Sequence, residues 1–249
     1  MEQIFYQNKI MKKFLLGILI TLIIVVLAPL TALGLVPGLS TVFGAGQKDF
    51  GIKITKEDSK AAIDKVGVEI VSLPKGTEAK DDFKLEGKKD VDFTLDSKEL
   101  TAHSNYRPWK NFPVKNMQIR INADGTVESS GILVVSKAVP YAMALGYSQE
   151  QIREAMEKYN IPSFEVPFYV KGNGGITNNN VTVNASIVKV GAVPIPENIV
   201  AQANSEAESV LEDIIQKHSE NLNYENLSFS DGKMHLKGQI SEKQYVITE

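Results

Sequence analysis

Residues able to do chemistry are sparse in this chain. It holds three histidines, His103, His218 and His235, and no cysteine. None of the histidines falls in an H-x-x-x-H or H-E-x-x-H spacing, so a metal site would need ligands gathered from distant segments. Without cysteine there are no disulfides, thiolate metal sites or thiol nucleophiles. No G-x-S-x-G elbow is present, and no S-x-x-K with its partner motifs. The run Gly172-Asn173-Gly174-Gly175 is rich in glycine, but no Lys-Ser or Lys-Thr follows it, and strand-like sequence flanks it on both sides. It reads as a hairpin turn, not a phosphate loop. Carboxylates gather at Asp81-Asp82, at Asp90 and between Glu206 and Asp213. Paired acids can hydrolyse glycosides, but these lie among lysines or on the polar face of a helix, the pattern of a solvated surface. No catalytic residue, metal ligand or cofactor motif emerges.

Two clusters are chemically less ordinary. Tyr106, Arg107, Trp109, Lys110 and Phe112 stand around Pro108 and Pro113, and Trp109 is the single Trp. The prolines oppose helix and sheet, so this is a loop. Aromatic rings beside cations suit a bilayer interface and equally a ligand or partner site; a plug at the end of a sheet is the structural alternative. Residues 139–147 are apolar and uncharged. They read either as a core helix or as the lip of an apolar groove. In the second reading Tyr141, Met143 and Leu145 face Val210 and Ile214 of a long helix further on.

The elements that must position these residues are mostly strands. Met117, Ile119 and Ile121 alternate with polar residues, then Asp124-Gly125 supplies the positive φ angles of a tight turn, and 127–135 returns. A second pair runs from Phe164 through the glycine-rich segment to the alternating Val181, Val183, Ala185 and Ile187. A third pair closes the chain around Asp231-Gly232. Three hairpins with polar alternation predict an antiparallel sheet. Helices punctuate it. Thr55 and Asp58 resemble a capping box, Ser97 can cap a helix through His103, and Ser148 with Gln151 opens another. The longest is expected from Pro196 to His218, with Ile199, Ala203, Ala207, Val210, Leu211, Ile214 and Ile215 in one apolar stripe. Its opposite face carries Glu206, Glu208 and Glu212 and reads as solvated. Residues 75–90 are charged and poor in apolar side chains, which predicts a mobile loop. The fold class is therefore α+β, a curved antiparallel sheet of hairpins with one long amphipathic helix packed on it.

An address precedes this domain. Residues 14–36 carry no charge and follow Lys12 and Lys13. About 20 such residues span a bilayer core as a helix, and the flanking lysines keep the N-terminus cytoplasmic. The expected organisation is a cytoplasmic tail (1–13), a transmembrane signal-anchor (14–36), a juxtamembrane linker (37–47) and an extracytoplasmic domain (48–249). The alternative is secretion after cleavage near Gly34, where Ala32 and Gly34 are small enough for a signal peptidase site. Removing Lys9, Lys12, Lys13 and Glu2 from the totals of 27 basic and 30 acidic residues leaves the exported part near −5. That balance argues against nucleic acid as a partner.

The run Val190-Gly191-Ala192-Val193-Pro194-Ile195-Pro196, entering a long amphipathic helix and then an Asp-Gly hairpin, carries a family likeness. With the Tyr169-Val170-Lys171-Gly172 strand and the N-terminal anchor, it resembles membrane-anchored envelope proteins of Gram-positive bacteria. Some of these are similar to tubular lipid-binding domains. The resemblance implies an apolar groove between helix and sheet and no transferable site residue. The expected function is a non-catalytic, membrane-tethered binding domain for lipid or another apolar ligand. The alternative is a structural module that docks another envelope protein.

Overall fold

A computed structural model describes residues 46–144, 148–150, 152–153 and 165–248, with the side chains of Val210 and Ile214 also outside the described set. The expected anchor helix, its flanking Lys12 and Lys13, and Leu145 lie outside the described residues. The rest is α+β, built largely from antiparallel strands.

Helix α1 (Lys56–Val66) starts where Thr55 predicts. Thr55 accepts from the Asp58 backbone N–H while the Asp58 carboxylate takes the Thr55 N–H, a reciprocal cap, and Gly67 closes the other end in the left-handed conformation. Strands β1 (Glu69–Ser72), β2 (Lys84–Glu86) and β3 (Lys89–Asp96) follow, and then helix α2 (Ser97–Asn105). Its cap is Asp96, paired reciprocally with Glu99. Ser97, the expected cap, instead accepts a hydrogen bond from the Ile121 N–H in the neighbouring strand.

Hairpin β4 (Val114–Ile121)–β5 (Val127–Leu133) forms around the predicted Asp124-Gly125 turn. Helix α3 (Val135–Ala144) takes in residues 139–144 of the apolar run, the rest of which lies outside the described residues. Strands β6 (Val166–Thr177) and β7 (Asn180–Val190) make the longest hairpin. The turn is not at Gly172–Gly175. The strand continues through those glycines, with a register shift at Lys171/Gly172, and turns at Asn178-Asn179, both with positive φ. The glycines serve close approach instead: a Cβ on Gly172 or Gly174 would lie 2.4 Å from a carbonyl oxygen of β7. A short β8 (Val193–Pro194) leads into helix α4 (Glu197–Lys217), and β9 (Asn223–Ser230), β10 (Lys233–Ile240) and β11 (Lys243–Val246) end the fold.

The main sheet has the order β3-β10-β9-β6-β5-β4. Strand β7 pairs the far edge of β6, which is long enough to meet both β5 and, at Ile176 and Thr177, β9. A second sheet, β1-β11-β2, was not anticipated; its β1–β11 pair is parallel. Residues 75–90, expected as a mobile loop, hold a single 3-10 turn (Ala79–Asp81), β2 and the start of β3.

Helix α4 lies along β7 with Val200, Ala203, Ala207 and Ile215 buried. Its polar side is not merely solvated. Asn204, Glu208 and Glu212 accept hydrogen bonds from the backbone N–H groups of Ala185, Val183 and Val181. Residues four apart on a helix rise about 6 Å and residues two apart on a strand about 6.6 Å, so the two ladders match. The helix thereby satisfies donors on an otherwise open strand edge.

Two apolar cores result. One gathers Trp109, Leu133, Tyr141, Val166, Val190 and Val200; the other gathers Ala62, Leu95, Ile121, Leu222 and Leu236.

Candidate functional site

The aromatic loop after α2 splits into an outward and an inward part. Tyr106 is 39% exposed and Lys110 is exposed, whereas Trp109 is only 3% exposed. The Trp109 ring stacks on Phe83 at 5.4 Å and meets Tyr141 at 4.9 Å, and Phe112 meets Tyr141 edge-on at 6.2 Å. The loop is pinned by Asp82, which is fully buried. Its carboxylate accepts from Trp109 Nε1 at 2.8 Å, from Asn111 Nδ2 at 2.6 Å and from the Ile247 N–H. Asp82 is thus a core acceptor and not the surface carboxylate its neighbouring lysines suggested. Three donors around one carboxylate satisfy what would otherwise be an expensive burial.

Of the residues named for an apolar groove, two have described side chains, Tyr141 and Met143, and both belong to a packed core. Tyr141 is 3% exposed and belongs to this aromatic core, and Met143 packs half-buried against the same cluster. Val210 and Ile214 lie on the α4 backbone, their side chains outside the described residues. An open apolar space lies at the C-terminal end of α4. There a cavity of about 970 Å³ is lined by Val66 of α1, Phe93 of β3, Leu100 of α2, Leu211 of α4, and Leu236 and Ile240 of β10. Phe83 and Tyr224 also line it. Burial pushes the Tyr224 hydroxyl up to about 12, so it stays uncharged there.

Two polar residues of α2 and its exit stand in this apolar wall. His103 and Arg107 both line the cavity. Burial, and secondarily the charge of Arg107, lowers the His103 imidazole to about 4, so it is neutral at pH 7. Its Nδ1 is buried with no hydrogen-bond partner. The Arg107 guanidinium lies 5.7 Å from the centre of the Phe112 ring. Burial draws it below its ordinary range, with Tyr141 acting the other way, yet a guanidinium keeps its proton in a protein. Among the described residues no carboxylate lies within salt-bridge distance of it. The other cations on the wall differ: Lys80 pairs with Glu78 at 2.8 Å, Lys84 with Glu86 at 3.6 Å and Lys217 with Asp213 at 2.8 Å.

Arg107 also lines a second cavity of about 970 Å³. That space is more polar, with Gln47, Asn105, Lys115, Asn116 and Gln118 on its wall. Gln47 and Asp49 place it beside the segment that enters the domain from the linker. Tyr106, Arg107 and Pro108 border both spaces. The loop is therefore a partition, with an apolar chamber on one side and a polar one on the other.

A third polar cluster ties the entering segment to the sheet. Glu128 of β5, 5% exposed, accepts from Tyr169 Oη at 2.6 Å, from Lys48 Nζ at 3.0 Å and from Arg120. Burial alone would raise its carboxyl; the hydrogen bonds from Tyr169, Arg120, Lys48 and Asn122 outweigh that and hold it well below the usual carboxylate range. Lys48 also sits 3.9 Å over the Tyr169 ring. This cluster is closed on itself and offers no free position for a ligand.

The sequence marked the loop that carries Arg107 but not the cavity beside it. His103 sits at a position read as helix end, and nothing local announced that α1, β3 and β10 would leave space against it. Among the described residues no group of three potential metal ligands occurs, and no helix is long and apolar enough to cross a membrane. No protein-family model matches the chain, and no curated protein or solved structure matches it.

Proposed function

We propose that residues 48–249 form a non-catalytic binding domain for lipid or another apolar ligand, held at the extracytoplasmic face of the membrane by residues 14–36. The observation that carries the reading is the cavity at the end of α4, about 970 Å³ and walled mainly by aliphatic and aromatic side chains, among them residues of α1, α2, α4, β3 and β10. Ligand pockets of roughly 300–1,000 Å³ with apolar walls and a few placed polar groups are the usual small-molecule sites. The docking alternative draws less support, because Trp109 and Phe112 point into the core and leave Tyr106 and Lys110 outward.

The single Trp supplies a local readout, since Phe83 lines the cavity and stacks on Trp109. The full chain in neutral maltoside micelles is titrated with 9,10-dibromostearyl alcohol, whose bromines quench indole on contact. Saturable quenching is expected, weakened in a Val66→Phe/Leu236→Phe double variant that narrows the chamber. Non-saturable quenching that is identical in the two proteins would remove the reading.

A further inference from the structure

We propose that the apolar chamber takes an anionic amphiphile, its carboxylate or phosphate held by Arg107 with His103 Nδ1 beside it and its hydrocarbon tail among Val66, Phe93, Leu100 and Leu236. This rests on the apolar-ligand reading above and gives that ligand its head-group charge.

The first support is the unmatched cation. A guanidinium drawn half out of water is costly unless it is paired, Arg107 is half-buried, and each lysine named above on the same wall has a carboxylate within 3.6 Å. Arg107 has none among the described residues, only the face of Phe112 and the neutral Tyr141 nearby. The second support is His103, which lines the same cavity and whose Nδ1, buried just beneath the wall, has no hydrogen-bond partner. Arg107 presents planar forked donors that fit the two oxygens of a carboxylate or phosphate. A neutral imidazole adds one more donor without a like charge. The third support is the partition itself. Because Arg107 borders the polar chamber too, an anion held there has its tail in one space and room for further polar atoms in the other. The polar chamber lies next to Gln47, where the chain enters from the linker, so this orientation turns the head group towards the tethered end. A neutral amphiphile would leave the guanidinium unmatched, which is the basis of discrimination.

The test is native mass spectrometry of the full chain released from neutral maltoside micelles. It is titrated separately with oleate, with 1-oleoyl-lysophosphatidate and with oleyl alcohol, which share one tail. At least one anion is expected to bind about tenfold or more tighter than the alcohol, as charge-assisted hydrogen bonds in a desolvated site allow. A preference confined to oleate assigns a carboxylate, and one confined to lysophosphatidate assigns a phosphate head group. In Arg107→Gln the preferred anion should fall to the level of the alcohol, while the alcohol itself stays within about twofold of wild type. If the wild type binds all three alike, the anion proposal is overturned and the apolar-ligand reading stands. If none of the three binds, both fall. An anion preference that survives in a folded Arg107→Gln protein would also overturn it. The wild-type comparison decides the matter even where the variant fails to fold.

Discussion

Glu128 is buried and Arg107 half-buried, both charged, and their surroundings are opposite. Glu128 sits under Tyr169, Lys48, Arg120 and Asn122, with every approach taken by a donor of the chain itself. Arg107 has an aromatic face, a neutral histidine and two cavities around it. The first arrangement is complete, so its free energy goes into holding segment 48–50 on the sheet. The second leaves the folded protein with a half-buried cation that no carboxylate among the described residues matches. A saturated buried charge is a fastening; an unsaturated one on a cavity wall is a binding determinant. Asp82 belongs with Glu128, for its carboxylate is filled by three protein donors.

That contrast is tested most severely at Asp82. Asp82→Ala strips the acceptor from Trp109 Nε1, Asn111 Nδ2 and the Ile247 N–H. Each buried donor left unpaired costs about 1–3 kcal/mol, so a loss of about 4 kcal/mol is expected in urea unfolding. A loss under about 1 kcal/mol would show that the loop is not fastened there.

A smaller effect, with a pH signature, is expected at Glu128. Glu128→Gln keeps the shape but loses the charge, and hydrogen bonds to charged groups are worth about 1.5–3 kcal/mol. The folded carboxyl is held below its ordinary value of 4.5. A depressed acid contributes stability that is fully present above the unfolded value and is lost as pH falls towards the folded one. The gap between wild type and Glu128→Gln should therefore be constant from neutral pH down to about 4.5, then close on further acidification. Urea denaturation across that range measures it. A gap that is already closing near pH 6 would assign the linkage to some other group.

The same division explains what local sequence disclosed. Two of the three hairpin turns, the Thr55 cap and the α4 stripe were legible because each is encoded within a few residues: Asp124-Gly125, Asp231-Gly232, Thr55 with Asp58, and apolar positions at helical spacing. Gly172–Gly175 misled because glycine serves two ends. It bends chains, and it lets backbones approach, and only the neighbouring strand reveals which is needed. Glu208 and Glu212 read as solvated, since the β7 amides they cap are 25 and 31 residues away. Asp82 read as surface for the same reason, its partners lying at Trp109, Asn111 and Ile247. The aromatic loop stands out by its composition, but its division into an inward Trp109 and a partitioning Arg107 depends on where Phe83 and Tyr141 arrive. The cavity at the end of α4 is not legible in any one segment, because space is defined by elements that fail to touch.

The smallest expected effect is the most discriminating. Replacing Arg107 by Met keeps an unbranched apolar stem of similar reach and removes the charge. Were Arg107 a fastening like Glu128 or Asp82, its loss would destabilise by several kcal/mol. As a half-buried cation without a carboxylate partner, it contributes a cost to the folded state, and exchanging such a group for an apolar one is commonly neutral or favourable. Arg107→Met should therefore leave stability unchanged or raise it by up to about 1 kcal/mol, a melting shift of roughly 0 to +4 °C for a domain of this size. Thermal unfolding of the full chain in neutral detergent reads this directly. A drop of more than about 4 °C would mean that the guanidinium is matched within the protein, and the contrast with Glu128 would dissolve. A stable Arg107→Met protein would instead show that selection for folding alone gives no reason to keep an arginine at that wall.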